Sequence, residues 1–410
     1  MKVTFVSEHA SPLAALGGVD AGGQNVHVAE LAKALVGLGH EVGVVTRRDD
    51  PDLPEELNTT DGYRVIHLTA GPPRPLPKDD LWPHMSEFSN RLAAVLEADR
   101  PDVVHAHFWM SGWAAQRAAR HAGLPTVLTF HALGAVKRRH QGGADTSPAE
   151  RIAVETALAD SVERIIATCS DEVNELARLA GAPAATSIVP CGVDVDLFSP
   201  TGPVWEDRRQ QHRVLAVGRL VPRKGFGTAI EALSALRDTE LVIAGGDQGP
   251  DPERDRLAAL AAICGMADRV RLLPPVPRAE MPALLRSADV VTCPAWYEPF
   301  GIVPLEAMAC GRPVVASAVG GMLDTVRPGE TGSLVPPRDP DALADALREL
   351  LRRPERRQRY GRCGVDLARA RYSWSSVAAR TVEAYERTLA GRVPRRRPVE
   401  AVGMSGAGSR

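Results

Sequence analysis

The stretch EPFGIVPLEA, Glu298 to Ala307, sets two carboxylates, Glu298 and Glu306, on either side of a short apolar turn. Pro304 near a first helical turn and Gly311 just past a last one mark the ends of a helix of about two turns. Glu298 then lies in the loop that enters the helix, and Glu306 lies inside it. The N–H groups of Phe300, Gly301 and Ile302 precede the first intrahelical hydrogen bonds, so they form an anion seat between the carboxylates. A glycosidase would hold two carboxyls about 5 to 9.5 Å apart across a scissile bond. A pair that brackets an anion-binding helix start is instead suited to hold a ligand, with one carboxylate reaching sugar hydroxyls and the other a ribose.

The segments around this stretch predict the architecture. Short β-branched runs alternate with helix-period segments: KVTFVSE then NVHVAELAKALVGLG, DVVHAHF then GWAAQRAARHAG, RIIATCS then DEVNELARLAG. Such alternation predicts parallel strands with helices on both faces. The pattern restarts at RVLAVGRL (213–220) and runs on through ELVIAGG, ADVVTCP and PVVASAV. The expected division is a Rossmann-like doubly wound domain over 1–191, a Gly-, Pro- and charge-rich linker over 192–211 and a second Rossmann-like domain over 212–372. An amphipathic helix follows over 373–391, and then a tail over 392–410 too poor in large apolar residues to fold. Two such domains place a ligand cleft between the carboxyl ends of their sheets.

Composition narrows the partners. The chain has 410 residues, too many for one ordinary core, and a formal charge of −2 that favours neither nucleic acid nor an anionic membrane. Five Lys stand against 44 Arg, a bias of genome composition rather than of chemistry. The six Cys are scattered without a C-x-x-C and read as reduced core thiols. MKVTFVSEHASPL is too short and too quickly polar for a signal peptide, and no window approaches 18 apolar residues. A soluble cytoplasmic protein with small-molecule partners is expected.

Four further groups bear on chemistry. In GGVDAGGQNVHVAELAKAL, Gly22 and Gly23 allow amides to approach a phosphate at a helix start near Asn25, with an ordinary turn as the plainer alternative. No G-x-G-x-x-G occurs, so no dinucleotide cofactor is expected. GRLVPRKG (218–225) offers Arg219 and Lys224 to a diphosphate, or to surface ion pairs. Asp194 and Asp196 form a D-x-D run, but in the linker, and no metal is expected. His105, His107 and His131 stand near strand ends, where satisfied structural histidines are the plainer alternative.

Together, EPFGIVPLEAMACGRPVVAS, GRLVPRKG, VPCGVDVDLFSP and DAGGQNVHVAELAKAL resemble the retaining nucleotide-sugar glycosyltransferases of family 4, which have the GT-B fold. The resemblance runs over residues 2–390. SEHASPL, HAHFWMSG and TFHALGAVKRRH look closest to the sucrose-phosphate-synthase-like branch and to the mycothiol-pathway enzymes, which glycosylate inositol phosphate. The resemblance implies that Arg219 and Lys224 bind the donor diphosphate, Glu298 the sugar hydroxyls, Glu306 the ribose and Gly23 the distal phosphate. His131 would lie beside the transferred sugar, so the catalytic set is His131, Glu298, Arg219 and Lys224. The donor is a nucleoside-diphosphate sugar, no further cofactor is implied, and the departing phosphate takes the acceptor proton in a same-face attack. Arg271 and the AGGDQGPDPE loop are expected beside the base. In mycothiol-pathway relatives a Lys, a Tyr, a Thr and an Arg hold the acceptor phosphate. Here Lys78 and Arg151 match, but Phe108 replaces the Tyr and Ala132 the Thr. With two hydroxyl donors missing, the expected acceptor is a small non-phosphorylated polyol or cyclitol, the alternative a phosphorylated one. A nucleotide-sugar epimerase of the same fold would lack the combination of E-x7-E with Arg219 and Lys224, and a non-catalytic binder need not have kept every donor residue.

Overall fold

Runs of Val, Ile and Leu without polar alternation form strands only where both faces are covered, and both sheets of this protein are built from such runs. The computed structural model describes residues 1–14, 22–181, 183–246 and 249–391. The expected tail over 392–410 lies outside the described residues, as do parts of the loops around 15–21 and 247–248.

In the first domain, strands β1 (Lys2–Val6), β2 (Glu41–Arg47), β3 (Glu56–Asn58), β4 (Arg64–Leu68), β5 (Val103–His107), β6 (Thr126–Thr129), β7 (Arg164–Ala167) and β8 (Thr186–Ile188) form one sheet. Its order is β3-β4-β2-β1-β5-β6-β7-β8, parallel except for the β3–β4 pair. The second domain has β9 (His212–Val217), β10 (Thr239–Ala244), β11 (Val270–Leu273), β12 (Val290–Cys293), β13 (Val314–Ser317) and β14 (Gly332–Val335), in the order β11-β10-β9-β12-β13-β14. In each sheet the winding direction reverses once, between β1 and β5 and between β9 and β12. The loops leaving those four strands therefore diverge and open a crevice, which is where open α/β sheets take ligands.

Much of the 192–211 segment is attached to the second domain. Phe198 is fully buried in its core, Trp205 packs against it, and Arg208 Nη1 reaches Asp289 at 2.8 Å. The chain crosses between domains beside Val193, which pairs in parallel with Ser373. Gly192 is required there because a Cβ would sit 2.5 Å from the Trp374 ring. The helix Trp374–Ala390 starts with the Ser373 side chain accepting from the Ser376 N–H, and it buries Trp374, Val377 and Tyr385 against the first domain. Tyr385 Oη lies 2.7 Å from His105 Nδ1, and His105 Nε2 lies 2.9 Å from Thr129 Oγ1, so one buried imidazole ties the last helix to the first sheet. All six Cys are free, and Cys169, Cys191, Cys293 and Cys310 are buried. Among the described residues no helix is long and apolar enough to cross a membrane.

Tyr385→Phe strands a buried ring nitrogen of His105 while leaving the helix's apolar face intact. Denaturant unfolding is expected to show a loss of about 1–3 kcal/mol, the cost of an unsatisfied buried polar atom. Wild-type stability would mean that Trp374 and Val377 hold the helix without the polar tie.

Candidate active site in the interdomain cleft

On the second domain's side the site is made by the loops after β9 and β12. The turn Pro222–Lys224 ends at Gly225, whose φ of 70° and closeness to the Pro294 carbonyl, 2.0 Å from where a Cβ would stand, exclude any other residue. That contact presses the first loop onto the end of β12. Lys224 Nζ thereby comes 2.5 Å from Glu298 Oε2. Burial pushes the Glu298 carboxyl up, but Lys224, Arg223 and the Phe300 N–H together outweigh it and hold the group below its ordinary range.

Gly301, with φ of 72°, starts the helix Ile302–Ala309 and so sets where Glu306 lies. Glu306 is 7% exposed, and its Oε1 accepts from Arg278 Nη1 at 3.0 Å. Burial raises its pKa to about 7, with Arg278 offsetting part of the effect. Beside this pair opens a cavity of 640 Å³, lined among others by Arg219, Leu220, Gly246, Pro277, Arg278 and Glu306. Its size and the Glu306–Arg278 pair on its wall are compatible with a nucleoside-sized ligand.

On the first domain's side two non-glycine residues hold positive φ: Phe108 (86°), just after β5, and His131 (61°), just after β6. Such strain persists only where the surroundings over-determine it, and it clusters at functional sites. His131 is held in a tight turn closed by Ala132 N–H to Phe130 O at 2.7 Å. Its Nε2 is 2.9 Å from His107 Nδ1, and its ring centroid is 5.2 Å from that of Phe300. Burial keeps both histidines well below their ordinary pKa, so they act as neutral hydrogen-bonding groups. The Phe108 ring meets His9 at 4.8 Å, the Arg151 guanidinium at 5.0 Å and Lys78 Nζ at 5.5 Å. Arg151 is itself fully buried and bonds Glu155, Ser147 and the Ala132 carbonyl.

The domains touch across the cleft. Ser170 donates its N–H and hydroxyl to Asp324 at 2.6 and 2.7 Å, and Thr168 Oγ1, which donates to Glu172, comes within 3.4 Å of the Pro299 carbonyl. A Cβ on Gly23 would meet Ile302 Cδ1 at 3.2 Å, so the start of the helix Gly23–Gly37 faces the helix that carries Glu306.

Lys224, Glu298, Arg219, Glu306, Gly23 and His131 therefore surround one cleft. Several expectations are corrected. The Phe300 N–H bonds Glu298 rather than standing open to a ligand, because a buried carboxylate needs donors. The Gly22 N–H is spent on Asn25 Oδ1 at 2.9 Å, and the helix starts at Gly23. Arg271 does not line the cavity, since Asp207 holds its guanidinium. Asp194 Oδ1 accepts the N–H groups of Asp196 and Leu197 and serves its own turn. Among the described residues no group of three His, Cys, Asp or Glu converges as a metal site would require. Sequence reasoning missed Arg278, Glu8 and His9. The last two sit at a switch-point strand end, the same signal that singled out His107.

Two predictions concern the donor side. Lys224→Ala removes a cation beside the diphosphate seat and leaves Glu298 unpaired, so calorimetry should show nucleoside-diphosphate affinity falling about ten-fold or more. Glu306, with a folded pKa raised to about 7, binds its proton more tightly in the native state. Its contribution to ligand-free stability therefore declines as pH rises from its unfolded value through 7. Ribose hydroxyls donate to the ionised form, so nucleoside-diphosphate affinity should rise about ten-fold between about pH 6 and 8, the ratio of the ionised fractions. The Glu306→Gln variant should lack that rise; an identical slope would show that the titration belongs to the ligand.

Comparison with known proteins agrees with this geometry. Residues 21–197 match the family model described as Glycosyltransferase Family 4, and residues 204–364 match Glycosyl transferases group 1. The chain is 37% identical to D-inositol 3-phosphate glycosyltransferase 2 of Catenulispora acidiphila over 95% of each chain. It is 38% identical to the D-inositol 3-phosphate glycosyltransferase of Thermobispora bispora, over 98% of this chain and 97% of the relative. Among solved structures, sucrose-phosphate synthase of Thermosynechococcus elongatus superposes with a TM-score of 0.86 at 31% identity, covering 95% of this chain and all of that one. With the donor loops at the second switch point and a strained histidine at the first, the chain belongs to the family 4 glycosyltransferases, nucleotide-sugar-dependent retaining hexosyltransferases of the GT-B fold.

Proposed function

We propose that this enzyme transfers a hexose from a nucleoside-diphosphate sugar to a small phosphorylated acceptor, a cyclitol phosphate or a sugar phosphate. The observation that carries the acceptor reading is the pair of cations against Phe108: Lys78 Nζ lies 5.5 Å and the Arg151 guanidinium 5.0 Å from its ring. The neutral acceptor expected from Phe108 and Ala132 rested on two missing hydroxyls, while both cations remain in place. The relatives that match over nearly the whole chain are D-inositol 3-phosphate glycosyltransferases, which also favours the phosphorylated alternative.

In this reading Glu306 holds the ribose with its second oxygen while Arg278 holds the first. Arg219, Lys224 and the amides at the start of the helix Ile302–Ala309 take up the charge that develops on the departing diphosphate. Glu298, kept ionised by Lys224, accepts from hydroxyls of the transferred sugar. His131, neutral and with Nδ1 unpartnered in a buried position, has a ring nitrogen to offer the sugar from the opposite face. Asp324 and Ser170 join the domains at the edge of the cleft, and a closed cleft keeps water from an activated donor.

An assay in which inositol 3-phosphate, fructose 6-phosphate and neutral inositol compete tests the acceptor class. A phosphorylated compound is expected to win by at least ten-fold in kcat/KM; a preference for the neutral cyclitol would restore the expectation drawn from Phe108 and Ala132. The double variant Phe108→Tyr with Ala132→Thr should lower the KM of the phosphorylated acceptor by roughly ten-fold, since a hydrogen bond to a charged group contributes about 1.5–3 kcal/mol. Proton NMR of the product should show the donor's anomeric configuration preserved.

A further inference from the structure

At the carboxyl end of β1, beside the acceptor wall, lies a carboxylate with no obvious structural reason to be there. The Glu8 side chain is fully buried. Among the described residues it has no Lys or Arg partner, only Ser111 and His9. Its Oε2 accepts from the Ser111 hydroxyl, whose oxygen in turn accepts the Glu8 N–H at 3.0 Å, so the carboxylate is fixed from both of its ends. Its Oε1 lies 2.7 Å from His9 Nδ1. A carboxylate only accepts, so this contact requires the proton of His9 to be on Nδ1.

His9 keeps 9% of its side chain exposed where Glu8 keeps none, so the pair has a buried end and an accessible end. The imidazole stands edge-on to Phe108 at 4.8 Å, and a charge on His9 would be felt at His131. It therefore stands between the residue beside the transferred sugar and the wall assigned to the acceptor. Burying a carboxylate with a serine and a histidine as its only side-chain partners is costly, and an apolar side chain of the same length would pack there without that cost.

We propose that Glu8 is a positioning residue for the acceptor: it fixes the His9 imidazole with Nδ1–H turned inward and the Nε2 lone pair offered to a hydroxyl of the acceptor beside Phe108. This rests on the reading that the Phe108 wall takes the acceptor, but the state of His9 is measurable without any acceptor. Glu8 orients the ring, Ser111 orients Glu8, and His9 alone touches the substrate.

The test combines nitrogen-15 NMR of His9 with kinetics of three proteins: wild type, Glu8→Met and Glu8→Gln. In the wild type, His9 should carry its proton on Nδ1; a ring protonated on Nε2 alone overturns the proposal with no variant needed. Glu8→Met should release the ring into the Nε2–H form and raise the acceptor KM about ten-fold, the loss of one oriented hydrogen bond, with kcat and nucleoside-diphosphate affinity within two-fold of wild type. Glu8→Gln retains an acceptor oxygen and should restore both tautomer and KM. A carboxylate that merely braces the loop would lower the melting temperature of Glu8→Met and leave acceptor KM and tautomer unchanged, and that result refutes a positioning role. If neutral inositol proves the better acceptor, the acceptor class assigned above fails, while the NMR and KM readings, taken with whichever acceptor is turned over, still decide the role of Glu8.

Discussion

The active site depends on the contact between two loops that leave neighbouring strands, β9 and β12. Gly225 lies against the Pro294 carbonyl so closely that only a glycine fits, and this brings Lys224 onto Glu298. The pair is more than a structural salt bridge. A buried carboxylate kept ionised by Lys224, Arg223 and the Phe300 N–H has lone pairs left for ligand hydroxyls, and in the proposed reading Lys224 also faces the site of departing negative charge. In the proposed reading one ion pair thus holds the donor at two points, and the reversal of strand order between β9 and β12 puts the pair in the crevice rather than on the flank of the domain.

The first domain lines its side of the cleft with neutral groups. Burial holds His27 at a pKa of about 4, His105 at about 3, and His107 and His131 well below their ordinary value. A cationic cluster next to a departing diphosphate would bind the product tightly, whereas uncharged imidazoles can hydrogen-bond the sugar without doing so. The burial responsible comes partly from the helix Trp374–Ala390: Trp374 packs edge-on to His27 at 5.5 Å, and Tyr385 bonds His105. A segment contiguous with the second domain thereby helps set the protonation of residues in the first.

The alternation of β-branched runs with helical periods made both sheets legible, and the Gly- and charge-marked loops exposed Arg219, Lys224, Glu298 and Glu306. Those signals are local, because a switch-point loop must combine a sharp turn with its ligand groups. Partnerships between distant segments were not legible. Arg278 reaches Glu306 from a loop 28 residues away, and Ser111 reaches Glu8 across 103 residues. Arg271 and the Phe300 N–H misled for a related reason: whether a donor is open to a ligand depends on what the fold has already given it, Asp207 in one case and Glu298 in the other. The acceptor class was the hardest to read. It turned on counting hydroxyls at two positions, while His9 reaches the Phe108 ring from the end of another strand.

Closure of the cleft has a modest energetic basis. Polar ties across the cleft include the two bonds from Ser170 to Asp324. Hydrogen bonds contribute about 0.5–1.5 kcal/mol each net, and those to a charged group about 1.5–3. A few such contacts favour a closed state without making it permanent. In the proposed reading, a donor touching Lys224 on one side and His131 on the other adds contacts that exist only when the domains are together. It can therefore shift the balance by as much as those contacts are worth. In that reading a product that has lost the sugar no longer reaches His131, so transfer itself weakens the ligand's hold on the closed form.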